Sequence, residues 1–284
     1  MAAVGLLDLK RRIKSVISTQ KITKAMGLVS TVKFKTSRAN LEKYKPYYEQ
    51  YKKSMSKIVS LPGISDLVYS ANNNAKKDMY IVITSDSGLC GSYNTNIINT
   101  VINETRGREN EVILITVGQK GKNFFRSKGY EIAGEYAGLS VNPAFKEISS
   151  IMKHGIDYFI AGRVKNVYVV YTQFFSQAKH AVEILKILPL EWNNEKSENY
   201  ILYEPSYSYV YDFAVPRYLN AIMYNAVVSS MTSEFAVRMS SMDSATKNAS
   251  EILAQLKITY NKVRQGNITR EITEIVSGAE ALKD

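Results

Sequence analysis

The sequence predicts an α/β protein whose two ends are long helices, able to pair as an antiparallel coiled coil, with a globular α/β part between them. Three observations predict this. From Arg217 to Asp284 there is no proline and there are only two glycines, Gly266 and Gly278. Residues 1–61 hold a single proline, Pro46. Between these stretches lie strand–turn–helix units and four of the remaining prolines, Pro62, Pro143, Pro189 and Pro205, while Pro216 precedes the second stretch. Two long rods at the ends of one chain suit the transmission of force or position better than a catalytic pocket.

The first arm opens with Leu6, Leu9, Ile13 and Val16 at alternating steps of three and four, which is a coiled-coil seam. The apolar phase then shifts to Ile22, Met26, Val29 and Val32. The positions that would continue the first phase hold Gln20, Thr23, Gly27 and Ser30, and these weaken self-pairing of the segment. A stripe resumes at Leu41, Tyr44, Tyr48, Tyr51, Met55 and Ile58, with a kink expected at Pro46 and a stop at Leu61-Pro62-Gly63.

The second arm shows a seam at Met242, Ala245, Ala249, Ile252, Leu256, Tyr260 (or Thr259) and Val263. After a phase break at Gly266 it continues as Ile268, Ile272, Ile275, Ala279 and Leu282. A helix of about 65 residues spans about 100 Å. A single globular domain cannot bury that length, so part of it packs on the partner arm or inside another protein.

In the middle, Met79–Thr84 predicts a strand, Ser85-Asp-Ser-Gly-Leu-Cys-Gly-Ser-Tyr-Asn94 a turn and Thr95–Asn103 a helix. Glu111–Val117 predicts a second strand, followed by a Gly-Gln-Lys-Gly turn and a helix from Asn123 to Lys128. Val164–Tyr171 and Ala181–Leu188 read as a hairpin. Alternating strands and helices point to a partly parallel sheet. The tyrosine-rich stretch Tyr200–Phe213 reads as a strand or loop leading to the second arm. The expected divisions are 1–61 for the N-terminal helix, 62–213 for the globular part and 214–284 for the C-terminal helix.

Composition narrows the function classes. Apolar content of 45% and charged content of 22% fit an ordered soluble chain rather than a disordered one. One cysteine, Cys90, excludes an intrachain disulfide. No apolar run approaches the ~18 residues of a membrane span. The opening MAAVGLLDLKRRIK lacks the apolar core of a secretory signal. Its basic character is shared by organellar presequences, but the pattern runs on far past presequence length, so it reads as a mature helix.

The net charge of +11 lies wholly in the first arm. Residues 1–60 hold fourteen Lys/Arg and three acids, and the rest of the chain holds 23 of each sign. A basic arm is either a solvated face or the complement of an acidic partner: nucleic acid, lipid headgroups or an acidic protein surface.

Catalytic constellations are missing. His154 and His180 stand apart with no second ligand at metal spacing. Gly118-Gln-Lys-Gly121-Lys122 falls short of a phosphate loop in spacing and lacks the following Ser/Thr. The glycines of Ser85–Gly91 follow a strand, as in anion-binding turns, but a tight strand–helix turn explains them better. Cys90 has no matched base and reads as a buried thiol. No metal, cofactor or catalytic residue is expected.

Three segments in order are similar to the γ subunit of the F-type ATP synthase, of the bacterial type. They are Ser18-Thr-Gln-Lys-Ile-Thr-Lys-Ala-Met26, then Ile83-Thr-Ser-Asp-Ser-Gly-Leu-Cys-Gly91, then Met242-Asp-Ser-Ala-Thr-Lys-Asn-Ala249 with Tyr260-Asn-Lys-Val-Arg-Gln265 and Ile268-Thr-Arg-Glu-Ile-Thr-Glu-Ile-Val-Ser-Gly-Ala279. Together they cover essentially the whole chain.

The resemblance implies an antiparallel coiled coil of the two ends plus a Rossmann-like α/β foot. It implies a non-catalytic central rotary shaft that couples ion-driven rotation of the c ring to conformational changes of the catalytic β subunits. Its partners would be the hexameric ring of α and β subunits, the ε subunit and the c ring, with membrane contact only through the c ring and no nucleic acid. The site would be peripheral, on the cytoplasmic side of the cell membrane. By matching position, Lys21, Lys24, Met26, Arg264, Gln265 and Thr269 would contact the β subunit. Tyr203, Glu204 and Pro205 would contact ε and the c ring.

The chain departs from the family pattern at three positions. Ser87 stands where arginine is usual, Gly27 where a longer residue is usual, and Asn267 where a small apolar residue is usual. Ser87 removes an expected charge from its turn, and Gly27 softens the first arm near its β contact. Two rival readings compete with the shaft. A coiled-coil nucleic-acid binder would use aromatics on a platform and weaken steeply with salt, whereas the tyrosines here follow helix faces and strands. An α/β enzyme would need chemistry at Ser85–Gly91 that the residues do not supply.

Overall fold

A computed structural model describes residues 5–59, 68–70, 74–190 and 203–280. Two compact units divide the chain: Met1–Val29 with Met239–Asp284, and Ser30–Arg238. Helix α1 (Leu6–Val59) and the last helix, α5 (Tyr207–Glu280), each contribute to both units.

In the first unit the two helices lie antiparallel, with residue numbers falling on one as they rise on the other. Gln20 meets Ser250, Thr23 meets Thr246, and Gly27 faces Met242. The shielded face of α1 here is Leu6, Leu9, Ile13, Val16, Gln20, Thr23 and Gly27. On α5 it is Met242, Thr246, Ala249, Leu253, Leu256, Tyr260 and Val263. Both sets keep alternating steps of three and four, the spacing of knobs-into-holes packing.

Two expectations are corrected by this seam. The first phase of α1 does not shift: polar and small residues continue it, while Ile22 and Val32 are 57% and 65% exposed. On α5 the seam residue is Leu253, 8% exposed, and not Ile252 at 43%. From Arg264 to Ala279 every α5 residue is exposed, so Ile268, Ile272 and Ile275 have no covering surface among the described residues.

In the second unit a five-stranded sheet has the order β3-β2-β1-β4-β5. The strands are β1 (Asp78–Ile83), β2 (Val112–Val117), β3 (Glu131–Tyr136), β4 (Asn166–Phe174) and β5 (His180–Leu188). The first four are parallel neighbours and β5 returns antiparallel on β4. Helices α2 (Tyr93–Thr105), α3 (Gln119–Ser127) and α4 (Phe145–Ile160) make the crossovers. Strand order reverses between β1 and β4, as in doubly wound Rossmann-like sheets.

Alternation along the buried strands divides the core by face. Met79, Ile81 and Ile83 of β1 join Ile113, Ile115 and Val117 of β2 in one cluster with α4 and the start of α5. Tyr80 and Val82 join Val112 and Leu114 in the other, with Tyr93, Ile97 and Val101 of α2 and Phe125 of α3. Burial on both faces is what parallel strands require.

The tyrosine-rich stretch differs from expectation. Tyr207–Phe213 is the first two turns of α5 and not a strand or loop; residues 200–202 lie outside the described residues. Tyr207 and Tyr211 fall one turn apart on the face turned to the core. Tertiary burial outweighs the strand preference of tyrosine and valine. Helix α1 runs on through Pro46 as one element. Around it, Tyr44 packs on Tyr224 at 4.4 Å and Tyr51 stacks on Tyr218 at 6.2 Å between ring centroids. The expected stop at Leu61-Pro62-Gly63 falls outside the described residues. Strand β3 and helix α4 had no counterpart in the sequence reading.

Candidate functional site

The turn after β1, Ser85–Gly91, is built as a joint. Ser85 N–H donates to Asn94 Oδ1 at 3.0 Å, and the Ser85 hydroxyl donates to the Ser87 carbonyl at 2.6 Å. Asp86 takes the Gln119 N–H on one carboxylate oxygen at 3.1 Å and the Gly138 N–H on the other at 2.9 Å. Lys120 N–H donates to the Ser85 carbonyl and Gly121 N–H to Thr84 Oγ1. The first N–H groups of α3, which would hold an anion if free, are thus consumed inside the protein. Gly118, at φ +98°, lies so close to Thr84 that an added Cβ would stand 2.2 Å from the Thr84 carbonyl oxygen. Both glycines of the near-miss phosphate loop therefore serve the crossing of two turns.

Arg238 of α5 enters the same turn. Its guanidinium donates to the Ser87 carbonyl at 3.0 Å, the Ser87 hydroxyl at 3.1 Å and the Gly88 carbonyl at 3.3 Å, and it pairs with Glu234 one helical turn back. Ser87, where the resemblance expects arginine, leaves the turn without its own cation, and Arg238 supplies one. Burial pushes the Glu234 carboxyl up from its ordinary value, and the Arg238 charge opposes that rise. Burial likewise pushes the Tyr93 phenol well up.

A cavity of about 270 Å³ opens beside this pair, lined by Lys33, Asp86, Glu234, Arg238 and apolar residues including Val117, Val227 and Phe235. Its carboxylates are already engaged, and no histidine lines it. Cys90 is buried and receives the Asn94 amide at 3.2 Å. Nothing here couples a nucleophile to a base. Among the described residues no cluster of His, Cys, Asp or Glu is arranged to hold a metal ion. No helix among them is long and apolar enough to cross a membrane.

The residues singled out from sequence fall into two groups. In the first unit, Lys21 and Lys24 are exposed on α1 beside the seam positions Gln20 and Thr23, and Met26 is half-buried. Arg264, Gln265 and Thr269 are exposed just past the end of the α5 seam, and the Thr269 hydroxyl donates to the Gln265 carbonyl at 2.9 Å. In the second unit, Tyr203 is half-buried and its hydroxyl donates to the Lys57 carbonyl at 3.4 Å, while Glu204 and Pro205 are exposed. Sequence reasoning missed Glu234 and Arg238. Their signal was an i, i+4 ion pair inside an otherwise uncharged helical stretch.

Two long end helices paired along a heptad seam, together with a doubly wound sheet whose strand-end turn is sealed from within, define the class: an α/β protein carrying a coiled coil of its two ends. A family model described as ATP synthase matches residues 5–282. The chain is 44% identical to the ATP synthase gamma chain of Clostridium acetobutylicum over 100% of both chains. It is 42% identical to that of Alkaliphilus metalliredigens over 99% of both. Its fold is similar to the rotor structure of the Euglena gracilis mitochondrial ATP synthase, with a TM-score of 0.71 at 17% identity, covering 93% of this chain and 98% of that one. It is also similar to a chain of the central stalk and c-ring structure of the Tetrahymena thermophila mitochondrial ATP synthase, with a TM-score of 0.62 at 24% identity, covering 79% and 99%. The chain belongs to the ATP synthase gamma chain family. The fold and family implied by the three sequence motifs are borne out, and with the family comes its role as the central rotary stalk.

Proposed function

We propose that the chain performs this role as a non-catalytic shaft, converting ion-driven rotation of a c ring into conformational changes of catalytic β subunits, on the cytoplasmic side of the cell membrane. The observation that carries this reading is the bare stretch of α5. Ile268, Ile272, Ile275 and Val276 stand exposed on a helix that continues past its intrachain seam. A helix end with such an uncovered apolar stripe is marginal in water and is stabilised when another protein covers it. A ring of α and β subunits supplies such a sleeve, and few directional bonds would then resist turning.

The same reading assigns Lys21, Lys24, Met26, Arg264, Gln265 and Thr269 to contact with β, and Tyr203, Glu204 and Pro205 to contact with ε and the c ring. Exposed hydrogen-bonding and charged groups suit contacts that break on every turn. It also treats 1–61 and 214–284 as the working arms and 62–213 as the part that meets the rotor ring. The similar structures, a rotor and a central stalk with its c ring, support this assignment. Two unlike helices lack threefold symmetry, so each β subunit of the ring would meet a different face and settle in a different state.

Subunit stoichiometry tests the proposal. In the purified complex the chain is expected at one copy per three β subunits. Equal copies of this chain and β would end the shaft reading.

A further inference from the structure

Strand β4 outruns its neighbour. Its pairing with β1 ends at Val82 opposite Val170, yet β4 continues to Phe174, paired beyond that point only with β5. The β1-facing backbone groups of Thr172 and Phe174 are thereby left without a strand, inside a buried region. Helix α5 takes them over with serine hydroxyls. Ser230 Oγ accepts the Thr172 N–H at 3.2 Å, and Ser229 Oγ accepts the Phe174 N–H at 2.8 Å. The hydroxyls of Ser229 and Ser233 lie 3.4 Å from the Thr172 carbonyl as donors. Ser230 and the Tyr93 hydroxyl are 2.7 Å apart, which brings α2 into the same joint. All three serines are buried.

Apolar packing between a helix and a sheet is non-directional and permits small slides and rotations. Hydrogen bonds from one helix to the open edge of one strand fix both register and rotation. We propose that Ser229 and Ser230 are positioning residues that key α5 to β4, so that torque passes between the sheet and the helix without slip. The proposal rests on the rotary reading above. It adds to that reading the place where the sheet grips the helix. Arg238, donating to the Ser87-Gly88 turn, limits the same motion from the end of β1.

The test uses the whole ion-translocating complex carrying the Ser229→Ala/Ser230→Ala chain, compared with Ser229→Thr/Ser230→Thr, which keeps both hydroxyls. Complexes containing one copy of the chain are reconstituted in vesicles, and ATP-driven charge movement is read with a membrane-potential dye, which responds to either H⁺ or Na⁺. The alanine pair is expected to move less charge per ATP hydrolysed and to show wider angular fluctuation of a probe on the stalled rotor, with the threonine pair close to wild type. Amide exchange at Thr172 and Phe174 is expected to quicken by about five- to tenfold in the alanine pair. The single variants, each freeing one backbone N–H, are read in the same way.

Unchanged coupling and angular fluctuation in the alanine variants would overturn the proposal, as would equal losses in the threonine pair. If the wild-type complex itself shows no rotation of this chain, the rotary reading fails instead, so the two failures are distinguishable.

Discussion

Thr23 and Thr246 face each other across the helix pair with their hydroxyl oxygens 2.8 Å apart. Each also lies in reach of its own helix, Thr23 of the Gln20 carbonyl at 3.1 Å and Thr246 of the Met242 carbonyl at 2.8 Å. Two protons serve three bonds, so one hydroxyl donates across the seam while the other donates backwards. A polar layer with that demand favours one register, as polar seam residues do in coiled coils. Thr23→Val and Thr246→Val are each expected to cost about 0.5–1.5 kcal/mol, and the double variant less than their sum, because either single change already removes the bond across the seam. A double-mutant cycle in denaturant measures the coupling, and strict additivity would show that the pair does not interact.

Gly27 occupies a seam position opposite Met242, and a Cβ built on it would sit 3.5 Å from the Met242 Cβ, an ordinary contact. Nothing about the packing therefore requires glycine. Gly27→Ala is expected to raise stability by about 0.5–1 kcal/mol by removing the helix cost of glycine. The midpoint of thermal unfolding of the purified chain measures it, and a fall would mean that the helices are packed too tightly for a methyl group.

These two positions also show where the sequence was opaque. The apolar residues of α1 mark two surfaces at once: the seam at Leu9, Ile13 and Val16, and a bare face at Ile22, Val29 and Val32. Periodicity detects both and cannot say which one the partner helix covers. Small residues at Gly27 and Ala249, with hydroxyls and amides that satisfy one another, let the true seam run through polar positions. The confusion of Ile252 with Leu253 has the same origin. The buried strands β1 and β2 were legible because glycine-rich turns bound short apolar runs. The grip of α5 on β4 was not, because a serine in a helix announces a buried bond only once the strand edge it meets is known.

Burial holds the phenols of Tyr80, Tyr207 and Tyr211 up to about 12. In the unfolded chain tyrosine ionises near 10. Between these values the unfolded chain binds fewer protons than the fold, so stability falls as pH rises from about 10 and levels off above about 12. Below about 10 the contribution of these groups is fully present. Phenolate absorbance followed in parallel with circular dichroism is expected to show the late-ionising tyrosines appearing together with unfolding. Their complete titration in a chain that remains folded would contradict the burial assigned to them.

Lys21 and Lys24 sit on the solvent side of the α1 seam, and the charge surplus of the whole chain lies on that arm. Since both are exposed, reversing them to Glu is expected to change intrinsic stability by only about 0.5 kcal/mol. What changes is the sign of the field presented to a partner. If an acidic element of β meets this face, Lys21→Glu/Lys24→Glu replaces attraction with like-charge repulsion in a partly desolvated contact, a change larger than any surface ion pair supplies in water. ATP-driven ion pumping by the assembled complex is expected to drop sharply while the isolated chain unfolds at the wild-type temperature, and raised salt is expected to restore part of the pumping by screening the repulsion. Full pumping at low salt with both charges reversed would remove these two lysines from the β contact and leave the bare α5 stretch as the surface to test next.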